Sequence, residues 1–332
     1  MPMPEYDRTL WTERERILSR KVLPHSSHIP PPPNRHKLES CAPRYNQGMT
    51  ERTKAAFALM SPCRLCPRHC RVDRLADERG FCGIGRLPIV ASAGPHFGEE
   101  PPLVGSGGSG TIFFSGCNLR CIFCQNYDIS HSPLGDELQP AELADLMLAL
   151  QRRNCHNVNL VTPTHVTASI MEAIDIARER GLSIPIVYNC GGYESLETLR
   201  LLENYVQIYM PDAKYADPTI AERLSKAPDY PNVMKAALRE MHRQVGDVQI
   251  INGIATRGLL VRHLLLPNGL AGTRTIIDFL ADEISPNTYV NVMDQYRPTF
   301  QAWRYPQVNR FPTKEEFVEA YEYALRRGLR LA

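Results

Sequence analysis

From Thr111 onward the chain alternates short apolar runs with stretches whose apolar residues recur every three or four positions. The runs TIFFS, NVNLVT, IPIVYN, YVQIYM, LLVRHLLL and TYVNVM are rich in Val, Ile, Leu and Tyr and lack strict polar alternation, the pattern of strands buried on both faces of a parallel sheet. Between them the spacing predicts helices. In PAELADLMLALQRRN, Leu143, Leu146, Met147 and Leu150 fall on one helix face; Val233, Ala237, Met241 and Val245 do likewise, as do Phe317, Tyr321, Ala324 and Leu325. Six strand–helix units joined by right-handed crossovers give an α/β fold, a partial (βα)6 parallel barrel open on one side, with ligands gathered at the carboxyl ends of its strands.

The region before Thr111 is different. Residues 1–58 carry few periodic apolar positions and include the tract HIPPPPNRHK, so they read as an extended or partly disordered leader. A short helix is expected through TERTKAAFALM, with Thr50 as its N-cap. Residues 59–110 form a small cysteine-rich metal-binding segment and a connector, and 111–332 the partial barrel. The glycines of SAGPHFGEEPPLVGSGGSG precede neither a Lys-Ser nor a Lys-Thr, and no helix opens on them, which excludes a phosphate loop and predicts a mobile connector. His96, Glu99 and Glu100 within it are candidate site neighbours.

Composition narrows the function classes. The 332 residues are 43% hydrophobic, enough for a sizeable core, and 38 basic residues stand against 36 acidic ones, so the net charge of +2 gives no reason to expect a nucleic acid or an anionic membrane as partner. No apolar run reaches the roughly 20 residues that cross a bilayer; GLLVRHLLLPNGL is broken by Arg262 and His263. The N-terminus lacks a hydrophobic signal core, and Glu5, Asp7, Glu13 and Glu15 argue against a transit peptide. Of ten cysteines, seven stand at metal-ligand spacing, which fits a reducing compartment, the cytoplasm, better than a disulfide scaffold.

The candidate chemistry lies in those seven. Cys117, Cys121 and Cys124 occur as CxxxCxxC in FFSGCNLRCIFCQN, at the end of the first predicted strand. Three thiolates can hold three corners of a [4Fe-4S] cube and leave the fourth iron for a chelating small molecule; the amino and carboxylate groups of S-adenosylmethionine suit that corner. Structural zinc usually takes a fourth ligand at short spacing, and none follows nearer than His131. Upstream, Cys63, Cys66, Cys70 and Cys82 stand at C-x2-C-x3-C-x11-C, enough to close either a second [4Fe-4S] cluster or a zinc site, with Pro67 and Gly83 favouring a tight knuckle.

The segment TIFFSGCNLRCIFCQNYDIS resembles the first strand and cluster loop of the radical SAM enzymes, and among them homologues of pyruvate formate-lyase activating enzyme. The resemblance implies a barrel of radical SAM type in which a reduced cluster cleaves S-adenosylmethionine to a 5′-deoxyadenosyl radical that abstracts hydrogen from a substrate. It implies an electron donor such as flavodoxin or ferredoxin, and as leading function the activation of a glycyl radical enzyme; modification of another peptide or of a metabolite is the alternative. A reading from another class is an iron-sulfur electron carrier or scaffold. By the same resemblance Phe123 lies against the adenine, and Asp212 and Lys214 meet the cofactor's charged groups, Lys214 its carboxylate. Asn189 before Gly191 and Gly192 permits close approach of a ligand, and Arg262, with His263, lies where ribose or carboxylate is met. Asp294, Gln295 and Tyr296 lie where the adenine edge is read. The second strand departs from the family: it ends in NLVTPTH where a Gly-Gly-Glu turn is usual, so Thr162, Thr164 and His165 become its candidate donors. An Arg in an apolar strand is costly to bury alone, so Arg262 should have an anionic partner.

Overall fold

The computed structural model describes residues 49–332, so most of the expected leader, residues 1–48, lies outside the described residues. Helix α1 (Glu51–Ala58) starts where its cap predicts: the Thr50 hydroxyl accepts from the Thr53 N–H at 3.2 Å. The cysteine-rich segment that follows is built of turns.

All six expected strands form, as β2 (Ser109–Phe114), β4 (Val158–Val161), β5 (Ile186–Cys190), β6 (Ile208–Pro211), β8 (Ile254–Leu264) and β9 (Tyr289–Met293). They pair in parallel in the order β9-β8-β6-β5-β4-β2, extended by β10 (Arg330–Leu331) beyond β9. On the other side β1 (Ile89–His96) pairs antiparallel with β2, and β3 (Asp136–Glu137) pairs with β1; β7 (Gln249–Ile251) makes a hairpin with β8. The sheet ends at β10 and β3, which are not joined, so it is a mixed α/β sheet of mostly parallel strands and an unclosed barrel. Strand β1 arises in the stretch expected to be a connector. Its sequence IVASAGPH has few β-branched residues, and pairing with β2 rather than propensity holds it extended.

Helices α4 (Pro140–Arg152), α5 (Thr167–Glu179) and α8 (Tyr230–Val245) cover one face of the sheet. Leu143, Met147 and Leu150 of α4 and Ala237, Met241 and Val245 of α8 are buried as their periodicity predicts. Helix α10 (Lys314–Arg326) is rotated from expectation: Ala320 and Ala324 are buried and Leu325 is 52% exposed, because the small alanines give the closer approach. The other face carries the four-residue helix α2 (Pro101–Val104), whose Leu103 packs with Val187, Ile208, Leu260 and Tyr289; Asn157 fixes it by donating to the Leu103 carbonyl at 2.8 Å.

On that concave face Arg262 of β8 donates to Glu100 through Nε (2.7 Å) and Nη2 (2.6 Å) and to Glu99 at 2.5 Å, while Asn291 of β9 donates to Glu100 at 2.8 Å. Arg262 thus has its anionic partners. In a flat sheet β1 and β8 would stand five strand intervals, about 24 Å, apart, whereas the four residues from His96 to Glu100 extend about 14 Å. The curl of the sheet closes that gap.

Replacing Arg262 by Met should therefore destabilise the fold by about 3 kcal/mol, because it leaves the buried Glu100 without a counter-charge and Glu99 with His96 alone. Urea unfolding would measure it, and a loss under about 1 kcal/mol would show that the ion pairs do not hold the curl.

Candidate metal and cofactor site

The cluster loop leaves β2 through Ser115 and Gly116. Gly116 has φ +80°, and a Cβ there would lie 2.7 Å from the Cys82 carbonyl oxygen, so only glycine lets the loop run against the upstream knuckle. The three downstream thiols then converge. Burial, together with mutual repulsion among Cys117, Cys121 and Cys124, pushes the Cys117 thiol up to about 12, and Cys124 is raised for the same reasons. Hydroxyls support two of the sulfurs: Ser225 donates to Cys121 Sγ at 2.9 Å and Ser130 to Cys124 Sγ at 3.2 Å, while the Leu119 N–H reaches Cys117 Sγ at 3.3 Å.

Upstream, Cys66 and Cys82 are likewise raised, first by burial and then by the neighbouring thiols of the same set. The Phe81 N–H donates to Cys70 Sγ at 3.4 Å, and His69 and Arg71 on either side of Cys70 adopt φ of +43° and +58° to make the knuckle. Both donor sets have the chemistry of a polynuclear iron-sulfur centre: buried and half-buried like thiols that resist ionisation together are what a polycation reverses. Among the described residues no three metal-ligating side chains lie close enough to hold a single ion. A cube spreads its three sulfurs wider than one ion does.

Beside the downstream triad, Lys214 pairs with Asp212 at 2.5 Å. Burial disfavours the Lys214 ammonium, but Asp212 and the adjacent Cys121 hold its pKa above the ordinary value. A Cβ on Gly191 would fall 2.7 Å from Leu119 and 3.9 Å from Lys214, so the turn after β5 also borders the cluster loop. The structure therefore brings together the triad, Lys214, Asp212 and the glycine turn that follows Asn189. Phe123 sits edge-on to Tyr215 and Tyr296, with ring centroids 6.4 and 5.5 Å away. Arg262 lies further along, across the isolated bridge from Asp212, beside a cavity of about 320 Å³ lined by Glu99, Glu100, Asn291, Met293 and Gln295.

The end of β4 is arranged otherwise than its side chains suggested. Thr164 and His165 are buried: Thr164 donates to Glu194 at 2.7 Å, and His165 Nε2 lies 2.8 Å from the Ser115 carbonyl, with burial holding its pKa down to about 3. His263 is also buried and lowered, to about 4. Thr162, a β-branched residue, has φ +61°, a backbone state that glycine adopts without strain. Sequence reasoning gave no role to Ser225, Ser130 or Arg68. No local pattern marks the serines, because their partners are distant in the chain; Arg68 stood within the cysteine motif and could have been weighed.

A curled, mostly parallel sheet with a CxxxCxxC triad at the carboxyl end of its first parallel strand defines an iron-sulfur enzyme class, and the chain belongs to the radical SAM superfamily. Residues 111–256 match the family model described as the radical SAM superfamily, which implies a [4Fe-4S] cluster and S-adenosylmethionine. An uncharacterized protein of Methanocaldococcus jannaschii is 34% identical over 290 residues, spanning 84% of this chain and 79% of the relative. Among solved structures, a radical SAM methyltransferase of Sphaerobacter thermophilus aligns with TM-score 0.46 at 16% identity, covering 67% of this chain and 65% of that one. A domain of pyruvate-formate lyase-activating enzyme from Bacteroides vulgatus aligns with TM-score 0.35 at 15% identity, covering 48% and 88%. No helix among the described residues is long and apolar enough to cross a membrane.

Two outcomes follow from the β4 end. Thr162→Gly should raise stability by about 1 kcal/mol in chemical denaturation by relieving the positive φ; no gain would mean that the turn is unstrained. Burial raises Glu194 from its ordinary 4.5 to about 7, against the hydrogen bonds from Thr164, Cys190 and Tyr188. The folded state thus holds this proton more tightly, and the stability it contributes is full below about pH 4.5 and lost as pH rises through about 7. Glu194→Gln should therefore gain melting temperature over the wild type at pH 8 and gain less at pH 5; equal shifts at both would exclude a raised Glu194.

Proposed function

We propose that Cys117, Cys121 and Cys124 hold a [4Fe-4S] cluster with one open iron, that S-adenosylmethionine binds there, and that Cys63, Cys66, Cys70 and Cys82 hold a second metal centre, iron-sulfur or zinc. Bound together, cluster and S-adenosylmethionine would supply, with one electron from an external reductant, the radical chemistry that abstracts hydrogen from a substrate. The observation that carries the reading is the convergence of three thiols, one buried and two half-buried, beside Lys214 at the end of β2.

The chain's own residues have separable tasks. Lys214, held by Asp212, offers a fixed cation to the cofactor carboxylate. Ser225 and Ser130 stabilise thiolate charge on Cys121 and Cys124 by donating to their sulfurs. Phe123, wedged between Tyr215 and Tyr296, provides an aromatic wall that excludes water on the adenine side. At the end of β4 the left-handed Thr162 turns the backbone, and its exposed carbonyls take the cofactor's amino protons where a Gly-Gly-Glu turn is usual. Asn189 lines the approach from β5. Arg262 is already neutralised by Glu99 and Glu100, so its contribution to the cofactor is through the shape of the cavity.

The leading substrate is a backbone glycine of a separate glycyl radical enzyme, supported by the likeness of the cluster-loop sequence to the activating enzymes and by the open sheet, which leaves room for a polypeptide. The reductant is a flavodoxin or ferredoxin of the cytoplasm. The polar cavity of about 320 Å³ beside Arg262 favours a second reading, modification of a small metabolite.

Anaerobically reconstituted, dithionite-reduced protein should release 5′-deoxyadenosine from S-adenosylmethionine, and Cys121→Ala should abolish the release. A fully iron-loaded wild type whose reduced-cluster spectrum is unmoved by S-adenosylmethionine would exclude the enzyme reading and leave an electron carrier.

A further inference from the structure

Arg68 stands inside the upstream motif, between Cys66 and Cys70, yet its side chain serves the downstream loop. It stands two residues after Cys66 and two before Cys70, so its backbone belongs to the upstream knuckle. Its guanidinium lies 4.0 Å over the ring of Phe81, the residue whose N–H meets Cys70 Sγ and which precedes Cys82, and 5.2 Å from the ring of Tyr193. From that clamp the guanidinium nitrogens reach outward. Nε donates to the carbonyl of Asn118, next to Cys117, at 2.8 Å; Nη2 donates to the carbonyl of Ser225 at 2.8 Å, and Nη1 to that of Lys226.

Two of the three acceptors lead directly to the triad. Ser225 is the residue whose hydroxyl donates to Cys121 Sγ. Asn118 donates to the Tyr193 carbonyl at 2.7 Å, which ties the cluster loop to the glycine turn after β5. Arg120 of the cluster loop returns the contact by donating to the Phe81 carbonyl at 3.3 Å, and Gly116 abuts the Cys82 carbonyl. One planar fork therefore spans the two cysteine sets. A guanidinium suits the position because it donates along several fixed directions while stacking on a ring, which a lysine ammonium does not.

The far end of the upstream segment is held by the buried Arg74, which donates to the carbonyls of Gly85 and His165, and Thr198 donates to the Leu65 carbonyl, while the stretch that carries Cys66 and Cys70 is turn. Between Pro62 and Gly83 the only regular element is the 3-10 turn Arg74–Ala76, and such knuckles take their order from the metal that closes them. We propose that Arg68 is the positioning residue through which metal in the upstream four-cysteine centre sets the geometry of the Cys117–Cys121–Cys124 loop, so that the downstream site is shaped for its cluster only when the upstream one is filled. This rests on the metal assignments proposed above, but not on which metal the upstream centre holds.

The test uses the full chain, reconstituted anaerobically with iron and sulfide and supplied with zinc, in wild type, Arg68→Ala, Phe81→Leu, Cys66→Ser and Arg68→Ala/Cys66→Ser forms. Metal bound upstream is counted in a Cys117→Ala/Cys121→Ala/Cys124→Ala background, and the downstream cluster is followed by its loss to an iron chelator and by the change in its reduced electron paramagnetic resonance spectrum on adding S-adenosylmethionine. Arg68→Ala should keep the upstream metal and a wild-type melting temperature, yet lose the downstream cluster at least tenfold faster and show no spectral response. Phe81→Leu should fall between it and the wild type. Cys66→Ser should match Arg68→Ala, and the double variant should be no worse than either, since both act through one route. Wild-type cluster retention and spectral response in Arg68→Ala, or additive losses in the double variant, would overturn the coupling while leaving the metal assignments standing. A wild type that takes up no metal upstream would overturn both.

Discussion

The buried guanidinium of Arg262, gripped by Glu100 and Glu99, is the contact on which the shape of the molecule turns. It joins the segment after the antiparallel strand β1 to parallel strands on the far side of the same sheet, and Asn291 on the next strand adds its own bond to Glu100. With one pair of carboxylates the chain both satisfies a charged residue in an apolar strand and commits the sheet to a curl. Glu99 shows the depth of that commitment. Although burial alone would raise its pKa, His96 and Arg262 hold it down to about 2, so Glu99 stays charged at any working pH. The curl in turn leaves a concave face for α2 and a polar cavity, and draws the loops at the strand ends towards one mouth.

At that mouth the two cysteine sets behave as parts of one body. Gly116 permits backbone contact between them, Arg120 reaches back to the knuckle, and Arg68 reaches forward to the cluster loop. The triad's own geometry is owed to residues far away in sequence: Ser225 ends a helix after β6, the Gln301 N–H meets the Ile122 carbonyl at 2.9 Å, and Tyr296 after β9 packs on Phe123. Three cysteines within eight residues specify which atoms can ligate. Where those atoms point is decided by the rest of the fold.

That division explains what could be read from the chain. The six parallel strands and the faces of α4 and α8 were legible because buried strands and amphipathic helices write their periods into local sequence. Strand β1 was not, since IVASAGPH has weak intrinsic preference and is extended only because β2 is beside it. Leu325 misled because an apolar residue at helical spacing carries no record of whether an alanine stripe on the neighbouring face packs closer. At the site, the Arg in LLVRHLLL announced its need for an anion, yet Glu99 and Glu100, more than 160 residues away, could be named only as neighbours. The Thr164 hydroxyl was read as a donor for a ligand, and its partner Glu194 lies on the next strand's loop.

At the end of β4 the departure in sequence is met by groups drawn from two loops. A Gly-Gly-Glu turn offers a left-handed backbone and a carboxylate. Here Thr162 supplies the left-handed backbone at the cost of strain, and the carboxylate comes from Glu194, which follows a glycine pair on the adjacent strand and bonds back to Thr164. The same two physical elements are present, distributed over two loops instead of one. Glu194 is only 2% exposed and is bonded to Thr164 and Tyr188, so its carboxyl secures the loop. A carbonyl dipole held by strain and a buried carboxylate is a weaker acceptor for a cation than a free carboxylate, but it needs no desolvation and no reorientation when the cation arrives. Rigidity of the β4 turn would then stand in for charge, and the residues that secure it, Glu194 and Tyr188 beneath and Thr162 at its apex, form one unit with the cluster loop through the bond between His165 and the Ser115 carbonyl.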